Sequence, residues 1–536
     1  MSLEQNLREM EITREAYWRR YPKTSPIKLR WRALTVRHCF HVLPGESILE
    51  LGAGTGLWTE HLTTTLRGEN PITAAVFNED LAAQAVARNL PNTKFVHVTD
   101  LDSLPAESFD YVVGTAILCH DLYAQNLAAL YRLLKPGGQL LFFEANYWNP
   151  QVFLKNTIPA IGRWSGNAEC QIGMRKFQLM KQASHQGFTH IEVIPYDIVH
   201  ALTPRSLIYA LQSAAFILEH APVIREFCGT LYIWLVKPGN ARRPNVNLAE
   251  HRELFGSTSF VIPCHNEEMN IPRLVRTLVE TYDQYIHEII LVNDNSRDRT
   301  AEVVLEVAAR EPRVKLVNRN PPNGVGLALR DGYAAANGRY ILTMDCDFVL
   351  ILPEFRDLFD AIAEGRDGAI GSRFSHESVV INYPFSKVLC NRAFHLLVNM
   401  TLLPQARDVT NNLKLYRAEI LKELDIEEPH FAANMETGLK PLLSNYDIEE
   451  VPISWINRTV EMGTSSFKTF KLGPSYFKAL LRTIWQTWRG ERSFKKQPRT
   501  KPEIEFGHEK PSVKFDDQKP QHLPANLKKA DGKSKN

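Results

Sequence analysis

Asp345 and Asp347 stand one residue apart at the end of an apolar run, Tyr340-Ile-Leu-Thr-Met-Asp-Cys-Asp. On an extended strand alternate side chains share a face, so the two carboxylates fall together. Carboxylate oxygens suit Mg²⁺ or Mn²⁺, and a cation held this way keeps positions open for phosphate oxygens. It would neutralise the charge that builds on a departing phosphate. A second constellation is Gly52, Gly54 and Gly56, in Ser47-Ile-Leu-Glu-Leu-Gly-Ala-Gly-Thr-Gly-Leu-Trp. Glycines after an apolar strand let the backbone turn tightly and admit a ligand where a Cβ would stand. A dinucleotide loop would carry glycine where this chain has Leu57. His120 is a candidate general base, or a histidine that only packs there. Glu144, followed by Asn146 and Trp148, is a second polar candidate.

Elements must hold these groups in place. Strand-then-loop patterns begin at Ser47–Gly56 and again at Ser259–Glu267. Each opens an alternation of β-branched runs and amphipathic stretches, which predicts a parallel sheet covered by helices. At 536 residues the chain exceeds what one core usually supports. We therefore expect two doubly wound α/β domains, at 1–236 and 257–472. The Pro-, Asn- and Arg-rich stretch 237–256 reads as a linker. Residues 473–496 read as an amphipathic helix, and the polar, Lys- and Pro-rich stretch 497–536 as a disordered tail.

Composition narrows the function classes. Net charge is +3, too near neutral to suggest a nucleic-acid binder. Seven cysteines are scattered with no CxxC spacing, against a disulfide framework or a zinc site. No apolar run reaches the ~18–20 residues of a membrane span, and the first residues lack a signal-peptide core. These features predict a cytoplasmic protein, with contact at the inner face of a membrane left open.

The glycine triplet, preceded by Glu50, resembles the first motif of class I S-adenosylmethionine-dependent methyltransferases. Phe95–Pro105, Phe109–His120 and Leu133–Glu144 resemble, in order, that family's third, fourth and fifth strands. The resemblance implies a Rossmann-like fold, a loop that cradles the amino-acid part of adenosylmethionine, and Asp100 facing the adenine. The family's ribose-binding acid at the end of the second strand falls here near Val76. Asn78 or Glu79 is the expected substitute.

Ser259-Phe-Val-Ile-Pro-Cys-His-Asn-Glu-Glu resembles the opening strand of family-2 glycosyltransferases, the group that includes dolichyl-phosphate mannose synthase. The resemblance implies a GT-A fold, a UDP- or GDP-sugar donor, and Pro263 and Glu267 bordering the nucleotide. Glu288–Thr300 matches the second strand and keeps Asp294 and Ser296, with Asn293 and Asn295 replacing an acid and a glycine. Gly324 stands in the glycine-rich stretch. Asp345 and Asp347 are the family's D-x-D metal motif, with Val349 where one branch has glutamine. Arg373 is implied as a diphosphate contact. Asp408–Arg417 resembles the acceptor block, and Glu436 takes the acidic position of the acceptor helix. Arg458, Ser465, Ser466 and Lys468 stand in the closing loop as phosphate or acceptor contacts.

Pro474–Arg489 carries apolar residues at helical spacing, with Trp485 and Trp488 and basic neighbours. It reads either as an interfacial helix, which suits a lipid-phosphate acceptor, or as a helix packed on the domain. Two readings of the whole stay open. One is a bifunctional transferase working on a glycan or glycolipid. The other is a glycosyltransferase carrying a non-catalytic methyltransferase-like domain.

Overall fold

A computed structural model describes residues 3–118, 123–158, 160, 173–198, 203–240, 243–348, 353–375, 377–381, 383–402, 405–456 and 469–490. His120, Val349, Arg458, Ser465, Ser466 and Lys468 lie outside the described residues, as does the expected tail.

The first half builds strands β1 (Ile48–Leu51), β2 (Ile72–Val76), β3 (Thr93–His97), β4 (Phe109–Thr115), β5 (Leu134–Ala145), β6 (His190–Tyr196) and β7 (Thr230–Val236). Their order is β3-β2-β1-β4-β5-β7-β6. All pair in parallel except β7, which runs antiparallel to β5 and β6. The central strands are apolar because helices cover both faces. All four residues of β1 are buried. Order reverses between β1 and β4, and a crevice at such a switch point is where open α/β sheets bind ligands. Helices α1 (Leu3–Arg20) and α2 (Ser25–Phe40) precede β1, α3 (Leu57–Thr65) follows it, and α4 (Glu79–Val86) follows β2.

The second half builds β8 (Thr258–Cys264), β9 (Ile286–Asn293), β10 (Val314–Asn318), β11 (Tyr340–Thr343), β12 (Gly368–Ser372), β13 (Val379–Ile381), β14 (Lys414–Arg417), β15 (Ile448–Pro452) and β16 (Ser454–Ile456). The order β10-β9-β8-β11-β14-β12-β15 forms a sheet, with β13 and β16 paired apart. β14 is antiparallel to both neighbours. Its insertion beside β11 carries the 408–412 segment to the aspartates. The chain thus holds two mixed seven-stranded sheets with helices, the two α/β units expected from the sequence.

The stretch expected as a linker is packed where described. Arg243 Nε donates to Glu46 Oε1 at 3.0 Å, Leu248 is buried, and Leu248 N donates to Thr281 O at 2.7 Å. Around it the halves meet through charge. Arg37 pairs with Asp357 at 2.8 Å, and Arg356 grips Glu69 at 2.7 and 2.8 Å. Arg67 bonds both Asp357 and Asp360. Glu354 Oε1, buried, faces His38 Nδ1 at 3.1 Å and His41 Nδ1 at 3.0 Å. Burial raises the Glu354 carboxyl, but the two imidazoles overcome it and hold it at about 2. Val379 and Ile381 of the second half join the apolar core of the first.

Candidate functional site

β11 ends at Thr343, and the following Asp345 and Asp347 are half-buried with Cys346 buried between them. Past the last ladder bond the chain turns, Phe348 N donating to Asp345 O at 3.3 Å, so both carboxylates stand on a turn at the carboxyl end of β11. Asn412 Nδ2 donates to Asp345 Oδ1 at 2.7 Å. The loop leading into β14 therefore fixes one of the two. A hard divalent cation fits this donor set: two carboxylates at the carboxyl edge of a sheet, one of them oriented by a buried amide.

Behind Asp345 lies Lys414, fully buried, which donates to Asn411 O and to Asn434 O, the latter at 3.1 Å. Burial pulls its ammonium down to about 7, against the pull of Asp408 and Asp345. Lys414 lies within the 408–417 stretch that resembles the acceptor block, where its type alone does not mark it as buried. A lysine at an inward position of a strand was the available signal.

The wall beside the aspartates is made by the ends of β8 and β9. Pro263 is half-buried within β8. Glu267 N donates to Thr300 Oγ1 at 2.9 Å, and Glu267 Oε2 accepts from Asn270 Nδ2 at 2.6 Å. Asp294 is buried; it pairs with Arg319 and accepts from Gly324 N at 2.7 Å. Ser296 Oγ accepts from Asn266 N at 3.0 Å. Asn295 adopts φ 51°, so the asparagine standing for glycine still makes the left-handed turn that asparagine tolerates. These bonds join the 263–268, 293–298 and 323–324 loops in one rigid rim.

Three expected contacts serve other partners. A Cβ on Gly324 would lie 2.1 Å from Pro429 O, so what the missing side chain admits is the 428–430 loop. Arg373 donates through Nε and Nη2 to the two oxygens of Asp408 at 2.7 and 2.9 Å. Burial works against both charges, yet each holds the other ionised: the arginine is raised and the carboxyl is held well below its usual range. Glu436 is fully buried; it accepts from Glu428 N at 2.8 Å and pairs with Lys440 and Arg482, each at 3.0 Å.

In the first half, Gly52, Gly54 and Gly56 all take positive φ, at 67°, 58° and 78°. Glu50 is buried, its Oε2 finds no hydrogen-bond partner, and burial pushes its carboxyl up to about 7. Asn78 spends its side chain capping α4, accepting from Leu81 N at 3.1 Å. Asp100 is exposed and accepts from Asp102 N at 2.9 Å. Glu144 Oε1 accepts from Ile117 N and Leu118 N at 2.9 and 3.0 Å, fixing the turn after β4.

Sheet order, glycine turn and paired aspartates place two candidate sites on the two α/β parts of the chain. Residues 48–138 match the model of a methyltransferase domain, and residues 259–425 match that of glycosyl transferase family 2. The chain therefore carries a methyltransferase domain followed by a family-2 glycosyltransferase domain. Over 238 residues it is 30% identical to dolichol-phosphate mannosyltransferase from Pyrococcus furiosus, covering 44% of this chain and 64% of that one. Over 233 residues it is 28% identical to polyprenol monophosphomannose synthase from Mycolicibacterium smegmatis, covering 41% of this chain and 84% of that one. A solved glucosyl-3-phosphoglycerate synthase from Mycobacterium tuberculosis is 18% identical over 46% of this chain and 86% of that one, with a TM-score of 0.35.

Proposed function

We propose that residues 257–472 transfer a sugar from a UDP- or GDP-sugar to a polyprenyl phosphate at a membrane surface. The carrying observation is the pair Asp345 and Asp347 beyond β11, with Asn412 orienting the first. These two residues would hold Mg²⁺ or Mn²⁺, which when bound neutralises charge developing on the leaving nucleotide. The rim of Glu267, Asp294 and Ser296, tied in by Asn323, whose Nδ2 donates to Asp294 O at 2.9 Å, supplies a polar wall for the nucleoside. Lys414 holds the carbonyls of Asn411 and Asn434 behind Asp345. The names of the Pyrococcus and Mycolicibacterium relatives support a polyprenyl phosphate as acceptor.

The helix Thr469–Trp488 fits a lipid surface. One stripe, Ala479, Leu480, Thr483 and Ile484, is buried against the domain. The opposite stripe, Phe477, Leu481, Trp485 and Trp488, is exposed at helical spacing. The neighbouring helix Phe385–Leu402 adds exposed Leu389, Leu396 and Met400. The buried face supports the packed-helix reading, and the exposed face supports the interfacial one. Arg489 lies over the Trp485 ring at 3.6 Å, the pairing of aromatic and cation that suits a headgroup boundary. Arg482 does not join it, being engaged with Glu427, Glu428 and Glu436. Among the described residues no helix is long and apolar enough to cross a membrane.

The test is incorporation of labelled sugar from GDP-mannose and UDP-glucose into dolichyl phosphate in vesicles. Asp347→Ala should cost ~10²–10³ in rate, the scale for losing transition-state charge stabilisation. Excess chelator should abolish transfer, and Mn²⁺ or Mg²⁺ should restore it. A folded Asp347→Ala chain with wild-type turnover would end this reading.

A second reading adds methyl transfer from adenosylmethionine by residues 1–236, which would make the chain bifunctional. The retained positive-φ glycine loop at the β1–β4 switch point favours it. The alternative is a methyltransferase domain that binds or scaffolds without catalysis.

A further inference from the structure

Helix α1 buries charge on its packed face. Its buried positions, Asn6, Leu7, Met10, Glu11, Arg14, Glu15 and Trp18, recur at helical spacing and form one face. Four of the seven are polar or charged. Burying charge is unfavourable unless partners replace the lost water, so such a face needs a polar counterpart. The counterpart is the glycine loop and the ends of β2 and β4.

Glu11, 0% exposed, accepts from Gly54 N through Oε1 at 3.0 Å. Its Oε2 accepts from Phe77 N and Asn78 N, both at 2.9 Å. Glu15, 5% exposed, accepts from Thr55 N at 3.4 Å and also from Thr55 Oγ1. Arg14, 4% exposed, donates to Thr115 O at 3.0 Å and to Gly52 O. The space that glycine leaves open is taken up by the same side chains. A Cβ on Gly54 would meet Glu15 Oε2 at 2.6 Å; one on Gly52 would meet Ile117 Cδ1 first, at 2.7 Å, and Arg14 Nη1 at 3.2 Å.

The charges are sorted in a telling way. A cation sits on two backbone carbonyls, and carboxylates sit on backbone amides a few residues away. An α-amino acid with its ammonium and carboxylate would satisfy the same loop with the same polarity. The end of β2, where the ribose-binding acid is missing, has its two amides covered by Glu11. Burial pushes Glu11 up to about 7 even against Arg14 and three amides, so its carboxyl is held at a cost.

We propose that α1 is the resident occupant of the methyl-donor pocket: Glu11, Arg14 and Glu15 compete with adenosylmethionine for the same backbone groups. This rests on the pocket being a methyl-donor pocket. In the docked state the domain is closed to cofactor, and methyl transfer would require α1 to leave.

Calorimetry with adenosylmethionine on the full chain, beside Glu11→Ala/Arg14→Ala/Glu15→Ala, tests this, with glycosyl transfer and melting as checks of folding. Apparent affinity falls by the fraction of open protein, so freeing the pocket should tighten binding at least ~10-fold. Wild type binding as tightly as the variant would overturn the competition while leaving the pocket reading intact. Neither chain binding would overturn both. Should the triple variant fail to fold, hydrogen exchange on wild type decides. Saturating adenosylmethionine should speed exchange across Leu3–Arg20 while the Gly54 amide stays protected. Bound cofactor with α1 exchange unchanged would refute the proposal.

Discussion

Arg373 and Asp408 make the sharpest distinction between a ligand contact and a framework pair. Asp408 is 0% exposed and accepts from Arg373 N at 3.0 Å as well as from the two guanidinium nitrogens. Thr410 Oγ1 at 3.0 Å shares the same carboxylate. Asp408→Ala would leave the guanidinium in a nearly closed site without its counter-charge. Breaking a buried pair from one side costs about 3–5 kcal/mol, against ~0–1 kcal/mol for a surface pair. That is a large share of a typical stability of roughly 5–15 kcal/mol. Removing both charges, with Arg373→Met alongside Asp408→Ala, should recover much of the loss. The assay is urea unfolding of the three variants and wild type as a double-mutant cycle. The pH dependence has a definite sign. Burial raises the Asp408 carboxyl, but Arg373, His395 and Arg392 hold it below its ordinary 3.8. Its contribution is therefore present above 3.8 and lost as pH falls below that value. The reasoning fails if Asp408→Ala loses under ~1 kcal/mol, or if Arg373→Met leaves stability untouched while raising the KM for donor.

Glu436→Gln should lower stability by ~3 kcal/mol, because Lys440 and Arg482 then lack their shared counter-charge; transfer per folded molecule should persist, and a collapse of kcat at unchanged stability would contradict this. Gly324→Ala should destabilise by about 1–3 kcal/mol through overlap with Pro429 O, read by thermal melting, and an unchanged melt would show that the loop yields freely. Glu354 contributes stability above 4.5 that should drain as pH falls through about 2; Glu354→Gln should flatten that acid limb, and an identical limb in both chains would remove the histidine contacts from the account.

The sequence by itself determined both sheets and the aspartate pair. Local patterns suffice there: apolar runs set the strands, glycines at positive φ set one turn, and the two aspartates fall on a short turn directly after β11, in place of the strand alternation that the sequence predicts. Asn412 beside Asp345 and Lys414 behind it were less legible, because their roles depend on β14 threading antiparallel between β11 and β12. Gly324, Arg373 and Glu436 were visible as residues but not as partners. Which charge meets Arg373, or which carbonyl faces Gly324, is decided by segments tens of residues away. The N-terminal helix is the clearest case. Its sequence reads only as a charged stretch without a signal-peptide core, and the burial of Glu11, Arg14 and Glu15 follows only once the β1–β4 crevice exists to receive them. The packing of 243–256 between charged faces likewise has no local signature, since Pro, Asn and Arg mark a loop whether it hangs free or is held by Glu46 and Thr281. Propensity and period act over neighbours in the chain. Charge pairing and close approach act over neighbours in space, and only the tertiary structure supplies those.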